Sequence, residues 1–227
     1  MSDLKKHFNE EAQEFDQRVQ RNLPKYNQMV EVLINAIPDA KENPKILDLG
    51  CGTGNITEKT KERFPEARIT CLDISENMIE IAKDKLEDYE DIEYVIGDFT
   101  QTELTTKYDA IISSLALHHI PTDEEKEKMY KSIYDALEIG GVFLNADVIK
   151  ANSKYNEKLY EKIAQRDVME NGVTAEEISE MNRKREENDI PTTIYMHMKM
   201  LENVGFQEID VIWKYYANAV YGATRKD

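Results

Sequence analysis

The stretch Lys45-Ile-Leu-Asp-Leu-Gly-Cys-Gly-Thr-Gly54 sets a short apolar run, an acid and three glycines in five positions directly before a helical pattern. This order reads as a buried strand turning sharply into a helix, the repeating unit of an α/β sheet. Glycines permit positive φ and let main-chain N–H groups approach a ligand with no Cβ in the way, and the helix start adds unpaired donors. The segment is a binding loop. Its spacing, Gly50-x-Gly52-x-Gly54, is one residue short of the dinucleotide fingerprint and lacks the lysine of a phosphate loop. Asp48 would repel a pyrophosphate and suits an ammonium or sulfonium group, so a cationic nucleoside is the expected ligand.

The following runs repeat the arrangement. Arg68-Ile-Thr-Cys-Leu-Asp73 ends in an acid 25 positions after Asp48, where a second parallel strand would end after a crossover helix over residues 56–64. An acid there can accept both hydroxyls of a ribose. Ser75 is placed to cap the next helix, and Ile74 and Met78 to flank an adenine. A third run, Ile92-Glu-Tyr-Val-Ile-Gly-Asp98-Phe99, again closes on an acid.

Together these residues resemble the class I S-adenosylmethionine-dependent methyltransferases, whose first motif reads acid-x-Gly-x-Gly-x-Gly after the first strand. The resemblance implies a doubly wound, mainly parallel seven-stranded sheet and S-adenosylmethionine as cofactor. It implies a cofactor loop of Asp48, Gly50, Cys51 and Gly52 and a ribose acid at Asp73. Asp98 would take the adenine amino group with Phe99 packed on the ring, and Ser114 would stand after the fourth strand.

Organisation along the chain agrees with that class. Helical patterns over residues 4–18 and 25–37 come first. Strands over 45–49, 68–72, 93–96, 110–113 and 142–148 then alternate with helices over 56–64, 76–89 and 123–137. Such alternation requires right-handed crossovers and helices on both faces of a parallel sheet. A helical insertion at 152–190 follows, with the capping pair Thr174 and Glu177, and then a helix over 192–203 and two closing strands, 208–214 and 217–223. The expected division is a helical lid over residues 1–44 and a catalytic domain over 45–227, with the insertion helping to cover the ligand.

The 227 residues carry a net charge of −16, with 12 basic against 23 acidic groups over residues 45–150. That surface repels phosphate backbones, so nucleic acid is excluded as a partner and a small-molecule substrate is expected. No apolar stretch is long enough for a membrane span, and the charged N-terminus is unlike a signal peptide. The reading is a cytoplasmic protein, assembled as a homodimer, whose two cysteines, Cys51 and Cys71, form no disulfide.

After the fourth strand, the segment from Ile111 to Ile120 brings His118 and His119 to the place where a methyl group and its acceptor would meet. Either could act as a general base or orient the acceptor. Two adjacent histidines without a third ligand at helical spacing make no metal site, and none is expected.

The outer segments carry a narrower resemblance. Phe15-Asp-Gln-Arg-Val, Arg21-Asn-Leu-Pro-Lys-Tyr26, Glu177-Ile-Ser179 and Gly205-Phe206 are similar to the carboxy-S-adenosylmethionine synthase branch of the superfamily. That branch implies that Arg21 and Tyr26 lie in a lid near the cofactor. The chain departs from it at Gly52, where the branch has serine, at Ser114, where it has asparagine, and at Asn182, where it has an arginine suited to hold a carboxylate. Methyl transfer to a small molecule is therefore the leading expectation. Carboxyl transfer to the cofactor and binding without catalysis are the alternatives.

Overall fold

A computed structural model describes residues 14–227. The part of the first expected helix that precedes residue 14 lies outside the described residues. Two helices open the chain, α1 (Phe15–Asn22) and α2 (Tyr26–Asn35), followed by β1 (Lys45–Leu49), α3 (Asn55–Arg63), β2 (Arg68–Asp73), α4 (Glu76–Lys85) and β3 (Ile92–Ile96). Then come β4 (Tyr108–Ser114), a single 3-10 turn (Leu117–His119), α5 (Asp123–Ala136) and β5 (Leu137–Val148). The insertion supplies α6 (Lys154–Glu170) and α7 (Ala175–Asn188), before α8 (Ile194–Val204), β6 (Gln207–Tyr215) and β7 (Asn218–Thr224).

The strands form one seven-stranded sheet in the order β3-β2-β1-β4-β5-β7-β6. β1 to β5 are parallel, and β7 runs antiparallel to both neighbours, β5 and β6. Strand order reverses between β1 and β4, which opens a crevice at their carboxyl ends, the usual ligand position in such sheets. β1 shows why its sequence is a near-continuous apolar run: Ile46, Leu47, Asp48 and Leu49 are all buried, because helices cover both faces.

One core layer packs Met29, Leu33 and Ile37 beside α2 against Ile46, Ile69 and Ile112. The other packs Tyr130 and Ile133 of α5 and Leu201 of α8 against Leu47, Ile111 and Phe143. α2 is thus part of the main core, whereas α1 contributes no fully buried residue. The main core cluster begins at Leu23. The insertion gathers a small cluster of its own, Val168, Val173 and Ile178 with Met181.

Three element boundaries differ from the sequence reading by more than two residues, the first being the end of α1, at Asn22 rather than residue 18. β5 begins at Leu137, directly after α5, because Leu137 pairs with Tyr108 before a register shift carries the strand past Gly140 and Gly141. The glycine pair reads locally as a loop, and sheet pairing overrides it. α4 ends at Lys85, short of residue 89. Ser75 caps α4 by accepting the Met78 N–H at 3.1 Å, and Thr174 with Glu177 forms the expected capping box on α7. Among the described residues no helix is long and apolar enough to cross a membrane.

Candidate active site

A cavity of about 550 Å³ lies at the carboxyl ends of β1, β2 and β4. Its floor is the glycine loop. Gly50 adopts φ +73°, and a Cβ there would come within 2.4 Å of the Ala116 Cβ, so both backbone and space demand glycine. Gly52 adopts φ +52° but has open space, the nearest atom to a Cβ being the Met78 sulfur at 4.0 Å.

Asp73 ties the loop to the second strand. Its two carboxylate oxygens accept the Gly52 and Ser75 N–H groups, each at 2.8 Å, and the side chain lines the cavity with acceptor capacity to spare. Burial raises its pKa, and the backbone N–H groups of Ser75 and Gly52 oppose that shift. Asp98 accepts both the N–H and the hydroxyl of Thr100 on one oxygen, while its buried Oδ2 has no partner among the described residues. A free buried acceptor on the wall fits a ligand amino group.

Of the residues expected to hold a cofactor, Tyr26, Gly50, Cys51, Gly52, Asp73, Ile74, Met78, Asp98, Phe99 and Ser114 all line this cavity. Asp48 and Arg21 do not. Asp48 is fully buried beneath the loop, where Oδ2 accepts the Thr57 hydroxyl at 2.6 Å and Oδ1 has no partner among the described residues. Burial pushes its pKa up to about 7, with Asp73 adding to the rise and Thr57 opposing it. Tyr26 receives the Asn55 amide at 2.8 Å on its hydroxyl oxygen, and burial raises its pKa to about 12.

Arg21 instead lines a second cavity of about 730 Å³ between α1, the 3-10 turn and α7. The two cavities share a wall of Phe15, Leu115, His119 and Asn188. α1 is fixed over the loop from one end by Asp16, which accepts the Thr53 hydroxyl and the Lys85 ammonium, each at 2.5 Å. At its other end Arg21 donates to Glu177 and to the Gly172 carbonyl. Asp16 escaped the sequence reading because nothing local distinguishes it from other surface acids.

The two histidines separate in environment. His118 lies on the second cavity only, with Nδ1 2.5 Å from Asp147 Oδ1 and Nε2 3.5 Å from Asp189. Burial alone would lower its pKa, but the charge and hydrogen bond of Asp147, joined by Asp189, raise it to about 10. His119 faces both cavities, its Nδ1 3.0 Å from the Asn188 carbonyl, and burial followed by the charge of His118 lowers its pKa to about 4. The two rings are thus pushed in opposite directions, His118 toward its protonated form and His119 toward its neutral one. Asp147 stands one residue before the end of β5, a signal visible in the sequence. Asp189 carries no such signal, since it follows a helix and reaches the histidines only through the tertiary fold.

A methyltransferase domain family matches residues 46–141. The carboxy-S-adenosyl-L-methionine synthase of Nautilia profundicola is 29% identical over 214 residues, spanning 92% of this chain and 89% of that protein. The malonyl-[acyl-carrier protein] O-methyltransferase of Acetivibrio thermocellus is 36% identical over 111 residues, 49% of this chain and 38% of that protein. Human N-acetylserotonin methyltransferase, solved with its cofactor, shares the fold with a TM-score of 0.61 at 19% identity, over 87% of this chain and 52% of that one. The strand order with its closing antiparallel pair, the glycine loop beside two strand-end acids, and the matched domain agree: residues 46–141 are similar to a methyltransferase domain, carried on the fold of the S-adenosylmethionine-dependent methyltransferases.

Proposed function

We propose that this protein transfers the methyl group of S-adenosylmethionine to a small-molecule acceptor held beneath α1 and α7. The observation that carries the reading is the pair of adjoining cavities, one lined by the glycine loop, Asp73 and Asp98, the other by α1 and the insertion, with His119 on their common wall. The first suits the nucleoside, with Asp73 toward the ribose, Asp98 Oδ2 toward the adenine amino group and Phe99 beside the ring. Asp48 is buried under the loop, and its ionised form would favour a cationic ligand.

Methyl transfer from a sulfonium releases a neutral thioether, so the residues need chiefly to align nucleophile, methyl carbon and sulfur. Such positioning supplies up to about 7–11 kcal/mol in favourable cases. His119, which faces both cavities and is pushed toward its neutral form, is the histidine placed to accept a proton from an acceptor that must lose one, whereas Asp147 holds His118 toward its protonated form. An acidic chain with net charge −16 supports a small molecule over a nucleic acid as acceptor. Two free, buried cysteines fit a cytoplasmic location.

One observation favours carboxyl transfer as a second reading. Asn182 is exposed and Arg183 is occupied by Glu180 and Glu187, but Arg185 lies on the second cavity's wall beside Asp189. Purified protein incubated with labelled S-adenosylmethionine and a metabolite extract should release S-adenosylhomocysteine together with a methylated product. A carboxylated cofactor recovered from the purified protein by mass spectrometry would replace methyl transfer with the second reading. Cofactor binding without turnover across a broad acceptor panel would reject both in favour of a non-catalytic binding protein.

A further inference from the structure

The fold brings Asp189 against His118 and His119, 71 and 70 positions away in sequence. The Ile190 N–H donates to the His118 carbonyl at 2.9 Å, which joins the segment after α7 to the 3-10 turn. Buried Lys126 strengthens the joint by donating to the Ile120 and Ile190 carbonyls. The imidazoles of His118 and His119 lie with centroids 3.9 Å apart. One ligating atom from each of the three side chains lies within 4.8 Å of the others.

We propose that His118, His119 and Asp189 bind one divalent transition-metal ion, with Asp147 as the carboxylate that orients His118. The donor set is two imidazoles and a carboxylate, which suits zinc or a similar borderline ion. Bonds of about 2.0–2.2 Å to a tetrahedral centre separate neighbouring ligand atoms by about 3.3–3.6 Å. Asp189 Oδ1 already stands 3.5 Å from His118 Nε2 and 3.6 Å from His119 Nδ1.

The surroundings of His118 are those of an oriented ligand. Its Nδ1 is taken up by Asp147, so Nε2 is the nitrogen left to face Asp189. Asp147 is itself held by the N–H groups of His118 and Val148 and by the Asn145 amide. A carboxylate behind a metal-bound imidazole fixes its tautomer and raises its basicity. His119 keeps its contact with the Asn188 carbonyl if it binds through Nε2 and exchanges it if it binds through Nδ1. Arg185 opposes the ion, since its charge also acts on Asp189. Without an ion, a proton between His118 and Asp189 makes the same atoms an ordinary ion pair. The proposal does not rest on methyl transfer, and an ion held by His119 would take the place of the proton-accepting role given to that ring above.

Full-length protein stripped with a chelator is titrated with Zn²⁺ by calorimetry and with Co²⁺ by visible absorption. The expected result is one ion per chain, with affinity at least about tenfold lower in Asp189→Asn and in His119→Gln. Asp147→Asn should weaken it by about 10- to 100-fold although no ligand is removed. Asp189 is partly exposed in a connecting segment, so its variant keeps the fold, checked by circular dichroism. Absence of saturable binding, or unchanged affinity in Asp189→Asn, would overturn the site. Binding is read without turnover, so failure of the metal site and failure of methyl transfer are seen separately.

Discussion

Arg21 and Glu177, 156 positions apart in the sequence, meet in a two-oxygen pair at 2.9 and 3.0 Å that joins α1 to α7 across the second cavity. Both side chains are more than 40% exposed, so solvent screens the pair and its contribution to stability is small. Its consequence is geometric, because it closes the space assigned to the acceptor. Glu177→Gln keeps the capping geometry and removes the charge, and Arg21→Ala removes the clamp. Each should leave the melting temperature nearly unchanged and lower kcat/KM by about 10- to 100-fold, the scale of a small misplacement of a bound reactant. Steady-state kinetics beside a thermal melt checks this, and a fall in melting temperature with unchanged kinetics would refute the clamp.

The same pair sets an acid limit. The Thr174 N–H and then Arg21 hold the Glu177 carboxyl down at about 2. A depressed carboxylate stabilises the fold above its ordinary value near 4.5 and loses that contribution as pH falls towards 2. Affinity for the acceptor should therefore fall over that window in the native protein and not in Glu177→Gln, as measured by titration calorimetry. Parallel pH profiles in the two proteins would exclude Glu177 as the responsible group.

Asp48 has the opposite sign. Burial raises its pKa to about 7, so its neutral form suits the ligand-free fold, and the associated stability is present below about 4 and lost as pH rises through 7. Each unit corresponds to about 1.4 kcal/mol, so the effect is on the order of a few kcal/mol. A cationic cofactor favours the ionised form, and binding near pH 7 should release a proton from Asp48. Calorimetry in two buffers of different ionisation enthalpy measures this release, which Asp48→Asn should abolish. Equal heats in both buffers for the native protein would sink the assignment.

The glycine loop gives a graded test of the cofactor site. Gly50→Ala meets the Ala116 Cβ at 2.4 Å in a positive-φ position, and should cost at least about 100-fold in cofactor affinity or prevent folding. Gly52→Ser meets no close atom, so its cost is the φ strain alone, about 1–2 kcal/mol or about 5- to 30-fold. Asp98→Ala removes the free acceptor Oδ2 and should weaken binding by about tenfold, consistent with one lost hydrogen bond of about 1–1.5 kcal/mol. Equal affinities for Gly50→Ala and the native protein would mean that the cofactor lies elsewhere.

How much of this was legible in the sequence follows from how local each signal is. Gly50, Asp73 and Asp98 each sit at a strand end marked by an apolar run, so spacing alone located the first cavity and the sheet that builds it. Asp147 stands one residue before the end of β5, inside the strand expected over 142–148, and could have been read in the same way. Asp189, Asp16 and the partner of Arg21 were out of reach, because their neighbours lie tens of residues away and no periodicity connects them. The place of α2 was out of reach for a related reason. An amphipathic helix at a chain's start looks the same whether it covers a ligand or fills a core, and the packing of Met29 and Leu33 against the sheet decides for the core.

That placement fixes where the cover can be cut. α1 buries no residue fully and is attached through Asp16 to the loop and Lys85 and through Arg21 to α7, whereas Leu23 and Tyr26 begin the main core. Removing residues 1–22 should thus leave a folded protein with a cooperative melt. It should abolish turnover, because Phe15, which lies on the wall of both cavities, leaves together with the clamp on α7. Cofactor binding should survive in weakened form, since Asp73, Asp98 and the glycine loop are untouched. A truncated protein with native kinetics would show that α1 covers nothing the reaction needs. An unfolded one would show that its polar contacts, not its burial, hold the core together.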